Sequence, residues 1–350
     1  MSAAGPALVV RLRSLGDVLL AAHLPSLLRA AAPGRRVLFL TKERFAGALR
    51  GHPDVDRFYV LEDGACDPAD PSPWGVKGSA GDLRAPLRRE GIEEIFDLQQ
   101  NWRSRTVTRS LDRARHVEFA KYGFRRRLLV HARWSGPAAV PPLLARYRAM
   151  AGLPPSAPLR PWLRDALTDE ERAKAAERLR PFGTGPIVLV APGARWATKR
   201  WPARHVAALV ERVERERGAV AFVVVAPGDE SLAAALEGAL PDPARLLSLG
   251  LRDTAAVAAR AAAIVSSDSA LLHFGPALGV PTVGLFGSTI PGFGFASGEP
   301  RDAVAEVELS CRPCDVHGKD RCPLRHHACM ERLEPSLVIE KLNSVLEASG

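Results

Sequence analysis

The apolar positions of this chain fall into short runs rich in β-branched residues, and each run is followed by a stretch in which apolar residues recur every three or four positions. ALVVRL (Ala7–Leu12), VLFLT (Val37–Thr41), DRFYVLE (Asp56–Glu62) and IEEIFDLQ (Ile92–Gln99) predict strands. After the first of them, VLLAAHLPSLLRAAAPG predicts one helix that stops at Pro-Gly. This alternation is that of a parallel sheet. The Pro- and Gly-rich stretch CDPADPSPWGVKGSAG, Cys66–Gly81, interrupts it and predicts a surface loop. A Pro-rich span, Leu153–Leu163, then leads into TDEERAKAAERL, where Thr168 is placed to N-cap a helix with Glu171 as its capping-box partner. Here the pattern restarts: IVLVAPG, VAFVVVAPG, RLLSL, AIVSSD and PTVGLFGST are separated by helical segments. Two βαβ halves follow one another. Neither half carries Gly-x-Gly-x-x-Gly after its first strand, which disfavours hydride transfer from a dinucleotide.

The length of 350 residues exceeds what one hydrophobic core usually supports, in keeping with two domains. Apolar runs such as AVAFVVVA, Ala219–Ala226, fall short of the ~20 residues that span a bilayer. In the opening MSAAGPALVVRLRSLGD the charge follows the apolar stretch and the stretch is short, unlike a signal peptide, so a cytoplasmic protein is expected. The net charge is +9 and most cations are arginine, the residue suited to bidentate recognition of phosphate and carboxylate. The basic runs have no interleaved aromatics, and no helix-turn-helix, zinc-finger or RNA-recognition signature is present, so nucleic acid is not the expected partner. An anionic small molecule or an acidic membrane surface fits better, although an Arg-rich composition accounts for part of the excess.

The stretch SSDSALLHFGPALGVPTVGLFGST, Ser266–Thr289, places Asp268 and His273 among residues that otherwise suit a core. AIVSSD is a strand ending in an acid, and SALLHFGPALG a helix whose first amides make an anion site. PTVGLFGST then ends in small residues that let a ligand approach the backbone. Ligands of open α/β sheets sit at the carboxyl ends of strands.

SLGDVLL, PGARWATKRWP, this stretch and the tail CRPCDVHGKDRCPLRHHACM, in that order over nearly the whole chain, resemble the family 9 glycosyltransferases, best known as lipopolysaccharide heptosyltransferases. The resemblance implies an α/β GT-B fold, two Rossmann-like domains facing across a cleft. Residues 1–165 would form the acceptor domain and 166–335 the nucleotide-sugar domain, with a C-terminal helix, 336–350, crossing back to the first. It implies inverting transfer of a heptose from ADP-heptose to the inner core of lipopolysaccharide, with no cofactor required for catalysis. The enzyme would be cytoplasmic and peripheral at the inner face of the inner membrane, its acceptor an anionic lipid-linked core oligosaccharide.

By the same resemblance, Asp17 of SLGD is the general base, although its position also permits a helix N-cap. A carboxylate at a helix start has its pKa lowered, so such a base acts late, as the hydroxyl becomes acidic. Lys199 would lie against the diphosphate, neutralising the departing nucleotide without a metal, with Thr198 a second phosphate contact. Glu230 would accept hydrogen bonds from the ribose hydroxyls; a first-turn acid favoured by the helix dipole is the plain alternative. Asp268, Ser269 and His273 would face the sugar nucleotide, with Ala270 where the family carries glycine, so its methyl crowds a passing ligand; a buried, satisfied His273 is the alternative. Gly287 and Ser288 would extend the phosphate wall. Trp201 and Pro202 are expected to pack the helix entrance.

After IFDLQ, Arg105, Arg109 and Arg113 are spaced four apart and predict one basic helix face, beside Arg103, suited to an acidic acceptor sugar; a solvated basic face is the competing reading. Arg125–Arg127 would serve an anionic membrane surface. In the tail, Cys311, Cys314, Cys322 and Cys329 have a spacing that suits a structural zinc site, with His317, His326 and His327 as further ligand candidates and a reduced, packed loop as the alternative. The same nucleotide site would also serve a family member with another nucleotide-sugar donor, a GT-B-fold nucleotide-sugar epimerase, or a non-catalytic binding protein in which Asp17 is dispensable.

Overall fold

The structure, a computed structural model, describes residues 4–62, 75–133 and 140–348. The chain divides into two compact units, Met1–Lys121 with Leu144–Ala166, and Tyr122–Leu143 with Leu167–Gly350. In the first, β1 (Ala7–Val10), β2 (Val37–Lys42), β3 (Arg57–Leu61), β4 (Gly75–Gly78), β5 (Glu94–Asp97) and β6 (Arg115–His116) form a parallel sheet in the order β4-β3-β2-β1-β5-β6. In the second, β7 (Ile187–Ala191), β8 (Val220–Val225), β9 (Leu246–Ser248), β10 (Ala263–Ser267), β11 (Thr282–Phe286) and β12 (Ala303–Glu306) do the same in the order β12-β11-β10-β7-β8-β9. Every residue of β1, β10 and β11 is buried, which is why none of these strands alternates apolar with polar positions. Two Rossmann-like α/β units of this kind are those of the GT-B fold.

Leu8, Val10, Leu38, Tyr59 and Ile95 lie in the first core. Val190, Val223, Val265 and Leu285 lie in the second, joined by Val338, Leu342 and Val345 of the helix Pro335–Glu347. That terminal helix, expected to cross back to the first domain, instead fills the core of the second unit. Two further expectations are corrected. The stretch following β1 is two helices, Leu15–Ala21 and His23–Ala31, because Pro25 has no N–H to offer the Ala21 carbonyl. Gly75–Gly78, inside the segment read as a loop, pairs with β3 as a strand; residues 66–74 of that loop lie outside the described residues. The Thr168–Glu171 capping box forms as expected, with the Glu171 N–H donating to Thr168 Oγ1 at 3.2 Å and the Thr168 N–H to Glu171 at 2.8 Å.

In each sheet the strand order reverses beside the first strand, between β1 and β5 and between β7 and β10. Loops leaving such a pair diverge to opposite sides, opening a crevice at the carboxyl ends. The residues that follow these four strands are therefore where ligands belong.

The first unit also buries a polar knot. His52, stacked on Trp162 at 4.8 Å, accepts from the Asp54 N–H through Nδ1, and its Nε2 lies 2.7 Å from the Ala22 carbonyl; Asp54 receives Ser26 and Arg160. Burial holds the His52 pKa down to about 4, against the Ala22 carbonyl and the Asp54 charge, which favour the cation. In the second unit burial pushes Asp302 up to about 6, against hydrogen bonds from Ser297 and Thr282. The two act oppositely. His52 binds its proton more readily when unfolded, so its contribution is complete above pH ~6.5 and falls by about 2 kcal/mol by pH 5. Asp302 binds its proton more readily when folded, so acid stabilises the second unit over the same window. Hydrogen exchange resolved by peptide should therefore show, between pH 7.5 and 5, protection falling in β1 and β2 but not in β11; equal behaviour of both sheets would contradict this.

Candidate active site

The first candidate site lies at the carboxyl ends of β1 and β5. Ser14 precedes the helix Leu15–Ala21 and Asp17 stands at its third position, so Asp17 does not N-cap this helix; it completes a capping box by accepting from Ser14 N–H at 3.2 Å and Ser14 Oγ at 3.0 Å. The same carboxylate oxygen receives Arg11 at 2.6 Å. Burial works to raise the Asp17 pKa, but the Arg11 charge and the Ser14 hydrogen bonds outweigh it and hold the carboxyl below its usual value. Asp17 is thus an anion held in place at neutral pH. Around it, Gln99 Oε1 accepts the N–H groups of Leu12 and Arg13, and Lys121 donates to the carbonyls of Gln99 and Gln100. Burial, followed by the charge of Arg11, lowers the Lys121 pKa. Asp97, at the end of β5, shapes the loop by accepting from the Gln99 and Gln100 N–H groups and from Ser104 Oγ at 2.7 Å.

Of the expected arginine face only part survives. The helix ends at Thr108, where the Thr108 and Ser110 hydroxyls bond back to carbonyls at 3.1 and 3.2 Å, and Arg113 falls in the turn beyond. Arg105 and Arg109 do converge, on a groove of about 450 Å³ that Asp97 and His116 also line. Arg103 leans over the exposed Trp102 ring instead, at 4.6 Å.

The second candidate site occupies the carboxyl ends of β7, β10 and β11. Lys199, on the turn Ala197–Lys199 after β7, meets Asp268, just beyond β10, at 2.6 Å, and donates to the Asp268 carbonyl at 3.2 Å. Thr289, beyond β11, donates to the same carboxylate at 2.7 Å. Both charged side chains are nearly buried, 12% and 7% exposed. Burial works to raise the Asp268 pKa, but the Lys199 charge, the two hydrogen bonds and the nearby His273 outweigh it, so the pair is ionic. An ammonium has three N–H groups, of which the Asp268 carboxylate and carbonyl engage no more than two.

Asp268 and Lys199, both expected to face the nucleotide sugar, stand as partners, a pairing their distant places in the sequence do not announce. Ser269 N-caps a single 3-10 turn, Ala270–His273, followed by the short helix Phe274–Leu278, so the expected single helix is two pieces. His273 is buried and contributes to the field at Asp268. Glu230, exposed at the start of the helix Glu230–Glu237, follows β8, the neighbour of β7; Asp229 beside it is paired to Arg200 at 3.2 Å. Thr198 does not present its hydroxyl to a ligand. It is buried, donating to the Lys319 carbonyl at 3.0 Å and accepting from the Lys319 N–H and Ser288 Oγ. Ser288 therefore turns inward too, and Gly287 lies so close to Met330 that an added Cβ would meet its sulfur at 2.5 Å. Trp201 packs as expected, its indole N–H donating to the Leu333 carbonyl at 2.9 Å.

Among the described residues no group of three or more Cys, His, Asp or Glu side chains is disposed to hold a metal ion, and the four thiols of the tail are free. Cys314 donates to the Cys311 carbonyl at 3.1 Å, and burial raises its pKa and pushes that of Cys329 up to about 11. The tail works through Arg312, which the sequence reading passed over within CRPC. Its buried guanidinium donates to the carbonyls of Phe286, Gly287 and Thr289 and pairs with Glu306 at 2.7 Å, fixing the loop that presents Thr289 to Asp268.

Comparison with known proteins agrees with this architecture. The family model described as glycosyltransferase family 9 (heptosyltransferase) matches residues 81–323. Lipopolysaccharide heptosyltransferase 1 of Pseudomonas aeruginosa is 28% identical, covering 97% of this chain and 98% of its own. Among solved structures, E. coli ADP-heptose LPS heptosyltransferase II superposes with a TM-score of 0.70 at 21% identity over 98% of this chain and 99% of that one. An E. coli heptosyltransferase solved with ADP gives 0.60 at 20% identity over 97% and 99%.

Proposed function

Because the chain belongs to glycosyltransferase family 9, the heptosyltransferases, we propose that it transfers a heptose from ADP-heptose to the inner core of lipopolysaccharide with inversion, Asp17 acting as general base. The observation that carries the donor half is the Lys199–Asp268 pair at the switch point of the second sheet, next to the Ser269–His273 turn. As the bond from the anomeric carbon to the β-phosphate oxygen breaks, negative charge grows on ADP, and a cation held by a buried carboxylate meets it without reorganising. Glu230, exposed beyond the neighbouring strand, suits the ribose hydroxyls. On the acceptor side the sugar hydroxyl attacks the anomeric carbon and its proton passes to Asp17. The low Asp17 pKa makes that transfer late, as the hydroxyl acidifies on bonding to carbon. The relatives' names supply lipopolysaccharide as the acceptor class, and such a substrate would keep the enzyme cytoplasmic and peripheral at the inner membrane. No helix among the described residues is long and apolar enough to cross a membrane.

The acceptor half is tested at the groove. Arg105→Glu with Arg109→Glu should raise the acceptor KM by more than ~10-fold, since two attractions towards an anionic acceptor become repulsions, and the penalty should shrink as salt rises. ADP affinity, set in the other unit, should hold. Transfer as efficient as the parent's would move the acceptor site elsewhere. The donor is tested by thermal shift with a panel of nucleotide sugars, in which ADP-heptose should stabilise the chain most.

A further inference from the structure

The helix Gly123–Ala132 carries Phe124, the most exposed large apolar side chain among the described residues, at 83%. Its inner face is fixed to the second unit. Arg126 donates to the Phe293 carbonyl at 2.9 Å and lies over the Phe295 ring at 4.5 Å, while Leu129 clusters with Ile290 and Phe293. At about 100° per residue the opposite face gathers Phe124, Leu128 and His131, with Arg125 and Arg127 on its two flanks. All five are exposed, Leu128 at 54%. No acidic residue occurs between Glu118 and Arg133, and neither Arg125 nor Arg127 has a carboxylate partner among the described residues.

A solvated basic helix has no use for an outward Phe and Leu one turn apart, and a core helix would bury them. An apolar ridge between two arginines suits a helix lying in the surface of an anionic bilayer, its rings and methyls at the acyl boundary and its guanidiniums at phosphate level. We propose that this face docks the protein on an anionic lipid bilayer. Charge complementarity selects the occupant: a second copy of a chain with net charge +9 would bring like charge to a basic face, whereas anionic headgroups attract it. The choice of a bilayer also rests on the proposed lipid-linked acceptor. The helix sits on Ile290 and Phe293, one and four positions after Thr289, so docking would also hold the neighbour of the loop that carries Thr289 at the surface.

The test uses the full chain and vesicles without acceptor or sugar nucleotide. Sedimentation with phosphatidylglycerol–phosphatidylethanolamine vesicles should carry the protein down, and pure phosphatidylcholine vesicles should not. Phe124→Ser with Leu128→Ser should weaken partitioning at least ~10-fold, and Arg125→Gln with Arg127→Gln roughly 25-fold, at about fivefold per basic residue. In Phe124→Trp, emission beyond that of the six native tryptophans should shift to the blue with vesicles and be quenched by brominated lipid. Parent-like binding by the apolar double variant would overturn the proposal, as would sedimented Phe124→Trp protein whose added emission stays unshifted. So would a dimer in solution that the apolar double variant dissolves without any vesicle binding by the parent. A parent that transfers heptose yet ignores vesicles overturns the surface alone, whereas one that docks and transfers nothing supports the surface and overturns the reaction.

Discussion

Asp17→Asn should lower sugar transfer by at least ~100-fold while leaving ADP affinity close to the parent's. Asparagine keeps an oxygen able to accept from Ser14, so the turn into the helix Leu15–Ala21 is retained, but it cannot take a proton from the acceptor hydroxyl. The residues proposed to hold the nucleotide lie in the other unit, so calorimetry with ADP serves as the control for folding. The pH profile gives a second readout. Arg11 and Ser14 hold the Asp17 carboxyl below the usual value of 3.8, so the base is already ionised throughout the neutral range and no acid limb from it should appear above pH ~4. Arg11→Gln removes the main charge that holds it down, and the acid limb of kcat/KM should then rise on the pH scale. Equal loss of transfer and of ADP binding in Asp17→Asn would show that the carboxylate serves folding, not proton transfer.

Lys199→Met is expected to be costly twice over. It strands Asp268 in a nearly buried position with Thr289 as its remaining side-chain donor, a loss of about 3–5 kcal/mol for a buried ion pair deprived of one member. It should also slow transfer by more than ~10-fold, because no cation then meets the charge growing on the leaving nucleotide. Adding Asp268→Asn removes the stranded charge. The double variant should therefore recover most of the stability in urea denaturation and none of the transfer. Recovery of both would make the pair a structural device, and an unchanged kcat with a raised KM would confine Lys199 to ground-state binding.

Much of the molecule is legible in order along the chain. Most strands can be read from runs such as ALVV and IVLVA because a strand covered on both faces is largely apolar, whereas Gly75–Gly78, Arg115–His116 and Ala303–Glu306, at the sheet edges, escape that reading. The Thr168–Glu171 cap is legible because its partners are three residues apart. Where local signals compete, reading fails. The four-residue arginine spacing runs on past Thr108, where the helix stops, so Arg113 lies in the turn beyond. Arg312, inside CRPC, draws no notice in the sequence because its carbonyl partners on Phe286 and Gly287 are 26 and 25 residues away.

Sequence alone determined the alternation of strand and helix, the restart of the pattern near residue 167, and which polar residues follow the strands, because each depends on neighbours within a few positions. The tertiary structure decided which of those polar residues meet. Asp268 and Lys199 are 69 positions apart and pair because β10 lies beside β7; Thr289 joins them because β11 lies beside β10. Phe124 and Leu128 read as ordinary apolar positions until packing turns Arg126 and Leu129 inward and leaves them outside. The reason is the same in each case. Backbone periodicity is a local property, whereas the partner of a charge or an apolar face is set by the order in which strands and helices come to lie side by side.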